Sequence, residues 1–232
     1  MPHLSTIGFD ADDTLWDHEK YFVATKERFV ALMADHADAE AIGKTLHDTE
    51  IGNLRLYGYG VKSFTLSMIE TAVAATGGSV PGTVFGAILD LGREMLNHPV
   101  DPYPGVRETL EALSGRHKLL VVTRGDLIDQ ERKLAASGLP PFFDEIEIVS
   151  DKTTPVYERI FSRHGDGADR AMMIGNSMRA DVVPALAAGA WGIHIPSDYV
   201  WSLDLDETPA DARRFRQLGR IGDVLPVIAE IG

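Results

Sequence analysis

The chain has 232 residues, 44% of them hydrophobic, with 22 Lys and Arg against 35 Asp and Glu and a formal net charge of −13. An acidic surface offers no counter-charge to nucleic acid or to an anionic membrane, so neither is expected as a partner, although a metal and a few basic side chains can reverse the sign locally for a small anionic substrate. Cysteine is absent, which excludes a disulfide framework, a thiolate nucleophile and a Cys-based zinc site.

The Met-Pro-His start carries no charged-then-apolar leader, and no apolar run is long enough to span a bilayer, so a cytoplasmic protein is expected. Leu4 to Phe9 is an apolar run that reads as a short buried strand. It leads into Phe9-Asp10-Ala11-Asp12-Asp13-Thr14-Leu15. Three carboxylates at the end of a buried strand are costly unless something positive compensates them. The end of a parallel strand is also where open α/β sheets build their sites. If the backbone stays extended, Asp10 and Asp12 point to the same side, so one can attack or bind a metal while the other handles protons. The arrangement suggests phosphoryl transfer on Mg²⁺.

Residues 17–98 show no strand pattern and several helical ones, near 17–36, 40–56, 61–76 and 81–97. In the first, Phe22, Phe29, Leu32 and Met33 share a stripe. Gly77-Gly78 and Pro81 separate the last two. Between the second and third lies Tyr57-Gly58-Tyr59-Gly60-Val61-Lys62. Its glycines permit a sharp turn, Tyr57 and Tyr59 offer stacking faces and Lys62 a cation for a second anionic group; alternatively it is only a helix connection with its tyrosines packed on the core. Trp16 and His18 either border the entrance to the first motif or simply pack. The exit at 97–105 is proline-rich and suits a stiff linker.

Beyond residue 100, strands at 117–123, 145–149, 170–174 and 190–195 alternate with helices near 105–114, 126–137, 155–164 and 178–188. Gly115, Gly138, Gly165 and Gly189 follow helices and suit left-handed caps. Thr154-Pro155 resembles an N-cap with proline at the first helical position. The 201–215 stretch, acidic and then arginine-rich, reads as a solvated loop or edge. Alternation of this kind predicts an α/β fold, with a doubly wound, Rossmann-like parallel sheet. The expected division is a core of 1–16 and 99–232 and an all-helical domain of 17–98.

Such a sheet gathers four pieces at adjacent strand ends: Asp10-x-Asp12-x-Thr14, then Thr123 with Arg124, then Lys152, then Gly175-Asn176-Ser177-Met178-Arg179-Ala180-Asp181. In this order they resemble the haloacid dehalogenase superfamily, in its phosphatase branch with a small helical cap after the first motif. The resemblance covers nearly the whole chain. It implies a Mg²⁺-dependent phosphatase acting on a small phosphorylated metabolite, with Asp10 as nucleophile forming an aspartyl-phosphate and Asp12 as acid and base. It further implies that Thr123 and Lys152 hold the phosphoryl group, with Arg124 beside them. Mg²⁺ would sit on Asp10, the Asp12 backbone carbonyl and the fourth motif. The family commonly carries Asp where this chain has Asn176; the amide brings an oxygen without charge and shifts weight to Asp181, as a ligand or its water-mediated partner. The family's dehalogenase branch lacks an acid at the place of Asp12. The same core also supports phosphonate hydrolases and sugar phosphomutases. A non-catalytic binding protein would keep the fold too, but it has no need of a proton-transfer acid such as Asp12.

Overall fold

A computed structural model describes residues 3–207, 209 and 213–231. The chain divides into two compact units: Met1–Glu19, Val100–Arg124 and Gln130–Gly232 form one, Lys20–Pro99 with Gly125–Asp129 the other.

The first unit is built on a parallel sheet of six strands: β1 (Thr6–Phe9), β2 (Lys118–Arg124), β3 (Glu145–Val149), β4 (Ala171–Gly175), β5 (Trp191–His194) and β6 (Phe215–Gln217). The spatial order is β3-β2-β1-β4-β5-β6. The chain therefore winds outward from β1 in one direction and then from β4 in the other, as the sequence pattern predicts. This puts the reversal of winding beside β1, where doubly wound sheets open a crevice at their carboxyl ends.

Both faces of the sheet are covered at its centre, so β2 and β4 are apolar on both sides. On one face Ile7, Phe9, Leu119, Val121, Met172 and Ile174 pack with residues of α5 (Val106–Leu113), α6 (Leu127–Ser137) and α9 (Val224–Ile231). On the other, Leu120, Val122 and Met173 pack with Tyr157, Ile160 and Phe161 of α7 (Thr154–His164) and Ala185 of α8 (Val183–Ala187). The alternation of faces along β2 and β4 follows the two-residue strand period. Trp191, Met172 and Met173 are core residues, as expected.

Gly115, Gly138 and Gly189 take positive φ after α5, α6 and α8. Gly165 does not: at φ −141° and ψ −159° it is extended. Its reason for being glycine is crowding instead, because a Cβ there would overlap the Thr6 hydroxyl. The start of α7 is also shifted by one residue from expectation. Thr153, with φ −119° and ψ 163°, occupies the cap, and Thr154 is already helical. The 201–215 stretch is a loop leading into the edge strand, as expected, with one acidic side chain drawn in from solvent. A 3₁₀ turn at Ser202–Asp204 brings the Asp204 side chain to 15% exposure, and β6 begins at Phe215. Residues 208 and 210–212 of that stretch lie outside the described residues.

The second unit is helical: α1 (Glu19–Leu32), α2 (Ala39–Tyr57), α3 (Val61–Ala75) and α4 (Gly82–Leu96). Phe29 and Met33 of the predicted stripe are fully buried with Ile42, Leu46, Met68 and Ile88, while Phe22 and Leu32 pack at the margin. Asp38 caps α2 by accepting from the Glu40 and Ala41 amides at 3.0 and 3.1 Å. Tyr59 lies in the turn between α2 and α3. Lys62 Nζ donates to both carboxylate oxygens of Asp126 at 2.9 Å. No helix among the described residues is long and apolar enough to cross a membrane.

Glu50, on α2, gives this unit a pH signature. Burial pushes its carboxyl up to about 7, against the pull of Lys26. Above that pH the folded protein holds an ionised carboxylate that water would solvate better in the unfolded chain. Below the ordinary value of 4.5 both states are protonated and the penalty vanishes. Glu50→Gln is therefore expected to stabilise at pH 8 by about 1 kcal/mol, discounted for its residual exposure, which is roughly 2–4 °C in unfolding midpoint. At pH 4 thermal unfolding should show no difference; an equal gain at both pH values would contradict the assignment.

Candidate active site

Asp10 follows the last residue of β1, and its amide continues the ladder by donating to Ile174 O at 2.9 Å. This fixes the backbone of a nucleophile candidate between two strands. Its side chain is 8% exposed and meets the Lys152 ammonium at 2.5 Å. Lys152, from the β3–α7 connection, is itself 3% exposed and also donates to Asp181 Oδ1 at 2.6 Å. One buried cation thus serves two buried carboxylates, leaving one negative charge over. The consequence is visible in the proton affinity of Asp10: burial pushes its carboxyl up to about 7, with the pull of Lys152 opposing and the charge of Asp181 adding.

The other Asp10 oxygen, Oδ2, accepts from Thr14 Oγ1 at 3.0 Å, and the same hydroxyl lies 3.3 Å from Asn176 Oδ1. A hydroxyl has one proton to give, so two oxygen acceptors converge on a single donor. The loop that carries Asn176 is tied down from both sides. His194 Nε2 donates to the Asn176 carbonyl at 2.9 Å, and the Ser177 amide donates to Asp181 Oδ2 at 3.0 Å. Asp181 reaches back to Ser177 because Met178–Val182 winds as a π turn before α8. Such a turn is a common local distortion at functional sites. The preceding glycine, Gly175, leaves the room: a Cβ there would occupy the position of the Asp181 carboxylate.

Thr123 is the penultimate residue of β2, 1% exposed, two residues beyond Val121, the register partner of Phe9. Its Oγ1 accepts from Gln130 Nε2 at 2.5 Å. The hydroxyl proton therefore stays available to another acceptor. Arg124 is engaged with Asp204 at 2.9 Å and faces Asp151 at 4.0 Å. Its charge is already neutralised within the unit.

Asp12 stands apart from Asp10 in its partners. Lys133 Nζ contacts both its oxygens, at 2.8 and 2.6 Å; Trp16 Nε1 donates to Oδ1 at 2.8 Å and Gln130 Nε2 to Oδ2 at 3.1 Å. Burial alone would raise its carboxyl, but the charges of His18 and Lys133 and the hydrogen bonds from Lys133 and Trp16 outweigh this and hold it well below the usual carboxylate range. Asp13, at φ 62°, turns the chain sharply, and its carboxylate accepts from the His18 amide at 2.9 Å and the Glu19 amide at 3.0 and 3.1 Å, capping α1.

The structure thus brings Asp10, Lys152, Asp181, Thr14 and Asn176 into one hydrogen-bonded group, and Asp12 and Thr123 into another joined by Gln130. Tyr59 and Lys62 belong to the helical unit. Gln130 and Lys133 are absent from the sequence reading. They lie one turn apart on α6 and are 2% and 4% exposed. The signal available was a polar pair on the face shared with Leu134 and Ser137, where an amphipathic helix normally places apolar residues.

The donors suit a small hard cation. Asp10 Oδ2 and Asn176 Oδ1 are oxygens held toward a common point, and the uncompensated negative charge of the Asp10–Lys152–Asp181 group favours a positive one. No group of three His, Cys, Asp or Glu side chains able to hold a metal exists among the described residues. The cradle relies instead on one carboxylate and an uncharged amide oxygen, while Asp181 spends both oxygens on Lys152 and the Ser177 amide.

A family model described as haloacid dehalogenase-like hydrolase matches residues 4–189. The glyceraldehyde 3-phosphate phosphatase of Methanothermobacter thermautotrophicus is 26% identical over 227 residues, 90% of this chain and 96% of that protein. The pyrimidine 5'-nucleotidase YjjG of Escherichia coli is 24% identical over 200 residues, 79% of this chain and 82% of that one. A solved haloacid dehalogenase-like family hydrolase from Xanthomonas campestris superimposes with a TM-score of 0.86 at 37% identity, covering 98% of this chain and 91% of the other.

Proposed function

The chain belongs to the haloacid dehalogenase-like hydrolase family, and on that footing we propose that it is a Mg²⁺-dependent phosphatase hydrolysing a small soluble phosphomonoester through an aspartyl-phosphate on Asp10. The observation that carries this reading is the setting of Asp10. It is a buried carboxylate at the carboxyl end of β1, with an ammonium on one oxygen and the Thr14–Asn176 pair beside the other. Two relatives whose names describe phosphate-ester hydrolysis support the reaction class.

The ester's own ionisable proton passes to Asp12 as it binds; an Asp10 oxygen then attacks phosphorus, the bond from phosphorus to the ester oxygen breaks, and the leaving alkoxide takes that proton from Asp12. Water then attacks the aspartyl-phosphate, giving its proton to the Asp12 carboxylate and releasing phosphate and free Asp10. Lys152 neutralises Asp10 and the phosphoryl oxygens, and Thr123 donates its free hydroxyl proton to one of them. Bound at Asp10 and Asn176, Mg²⁺ would screen the charge of the phosphate ester that otherwise repels a carboxylate. We assign Asp181 the supporting place, fixing Lys152 and the loop. The helical unit we read as the cap, with Tyr59 and Lys62 as its substrate-selecting residues. This favours small esters over phosphoproteins.

Phosphate release from sugar, nucleotide and carboxylate monophosphates is expected with Mg²⁺, and removal of the metal with EDTA should abolish it until Mg²⁺ is restored. Activity on phosphopeptides alone, or turnover indifferent to chelation, would overturn the proposal.

A further inference from the structure

Lys133 is an expensive residue where it stands. A lysine at 4% side-chain exposure has lost nearly all its hydration, and only a close counter-charge makes that tolerable. Glu131, two residues earlier on α6, faces solvent, so the helix had an open position for a charged residue. Instead the ammonium is turned onto Asp12, with His18 Nε2 at 3.3 Å from it and 3.7 Å from Asp12 Oδ2.

An ionised carboxylate offers four lone-pair positions. On Asp12 all four are met: Trp16 and Lys133 at Oδ1, Lys133 and Gln130 at Oδ2. The Gln130 contact is the longest of these, at 3.1 Å. That amide has other acceptors within reach, the Thr123 hydroxyl at 2.5 Å and the Arg124 carbonyl at 3.1 Å. Its own Oε1 is buried with no hydrogen-bond partner, so the side chain is kept for its donors. Of the three donor side chains, Gln130 is the one that can leave without becoming an orphan.

We propose that Lys133 is a positioning residue for proton transfer. With Trp16 it fixes the orientation of the Asp12 carboxylate, while Gln130 holds the Oδ2 position that receives the proton brought by the ester, returns it to the leaving oxygen, and afterwards takes one from the attacking water. This rests on the phosphatase reading above. Because Gln130 also binds Thr123, the exchange at Asp12 happens beside the hydroxyl that grips the phosphoryl group. Orientation matters here because proton transfer tolerates little misplacement of donor and acceptor.

The test is the dependence on leaving group. A p-nitrophenolate leaves without help, whereas an alkoxide needs a proton, and kcat/KM reports only the steps up to the first irreversible one. Lys133→Met is expected to lower kcat/KM for an alkyl phosphate by about a hundredfold or more, the usual worth of a positioned acid. For p-nitrophenyl phosphate it should change kcat/KM less than about fivefold, since that route needs no such acid. Lys133→Gln, which keeps a donor without the charge, should recover part of the alkyl rate, and it stands in if the methionine variant unfolds. Equal losses on both esters, or none on either, would overturn the proposal while leaving the phosphatase reading intact. If the native enzyme released phosphate from no ester, both would fall together.

Discussion

Asp10→Asn is expected to lose at least about a ten-thousandfold in turnover, because an amide oxygen does not attack phosphorus to form an acyl-phosphate. The same change is expected to leave the protein as stable as before, or more so. The native group carries two carboxylates, Asp10 and Asp181, around the single Lys152 ammonium. Asparagine reduces this to a one-to-one pair. Its oxygen can still accept from Lys152, and its amide can donate to Thr14 Oγ1, freeing that hydroxyl for Asn176. Burial no longer acts on a charge that it disfavours. An inactive variant with an unchanged or raised unfolding midpoint is the pattern of a site that trades stability for chemistry. An inactive variant that unfolds early would instead place Asp10 in a structural role.

Lys152→Met should do the opposite. It removes the ammonium shared by Asp10 and Asp181 and leaves two buried like charges facing each other. Breaking a buried ion pair by deleting one partner typically costs about 3–5 kcal/mol, which for a domain of this size is roughly 6–20 °C in unfolding midpoint. Activity should fall with it, since nothing then offsets the charge on Asp10 as phosphate approaches. Adding Asp181→Asn to Lys152→Met removes one of the two stranded carboxylates, so the double variant should be more stable than Lys152→Met alone. Thermal unfolding of the pair checks this, and additive losses would contradict the shared-cation arrangement.

The difference between what was legible in the sequence and what was not follows from how local each signal is. Strands β2 and β4 were readable because both faces of a parallel sheet are buried, so Leu119 to Val122 and Ala171 to Ile174 are continuous apolar runs. The helical unit was readable from the stripe that includes Phe29 and Met33. Asp10, Lys152 and Asn176 were legible as strand-end residues because order along the chain fixes their place in a doubly wound sheet. Gly165 carries no local sign of its role, because its constraint is a neighbour 159 positions away, Thr6, rather than its own φ. The ties of Asp204 to Arg124 and Ser177 were hidden for the same reason: acidic residues in a loop give no sign of which buried group they will meet. Lys133 was the largest omission. A lysine on a helix is ordinarily a solvated one, and only the position of Asp12 in space gives it another purpose.

If Asp10 is the nucleophile, the phosphoryl group rests on its carboxylate during each turnover. Quenching the enzyme in acid while it turns over its best ester with Mg²⁺, and locating the phosphoryl group by peptide mass spectrometry, decides this. One phosphoryl group is expected on the peptide that contains Asp10, at that residue, labile at neutral pH and absent from the Asp10→Asn variant. A phosphoryl group on another side chain, or rapid turnover with none trapped even under single-turnover quenching, would contradict it.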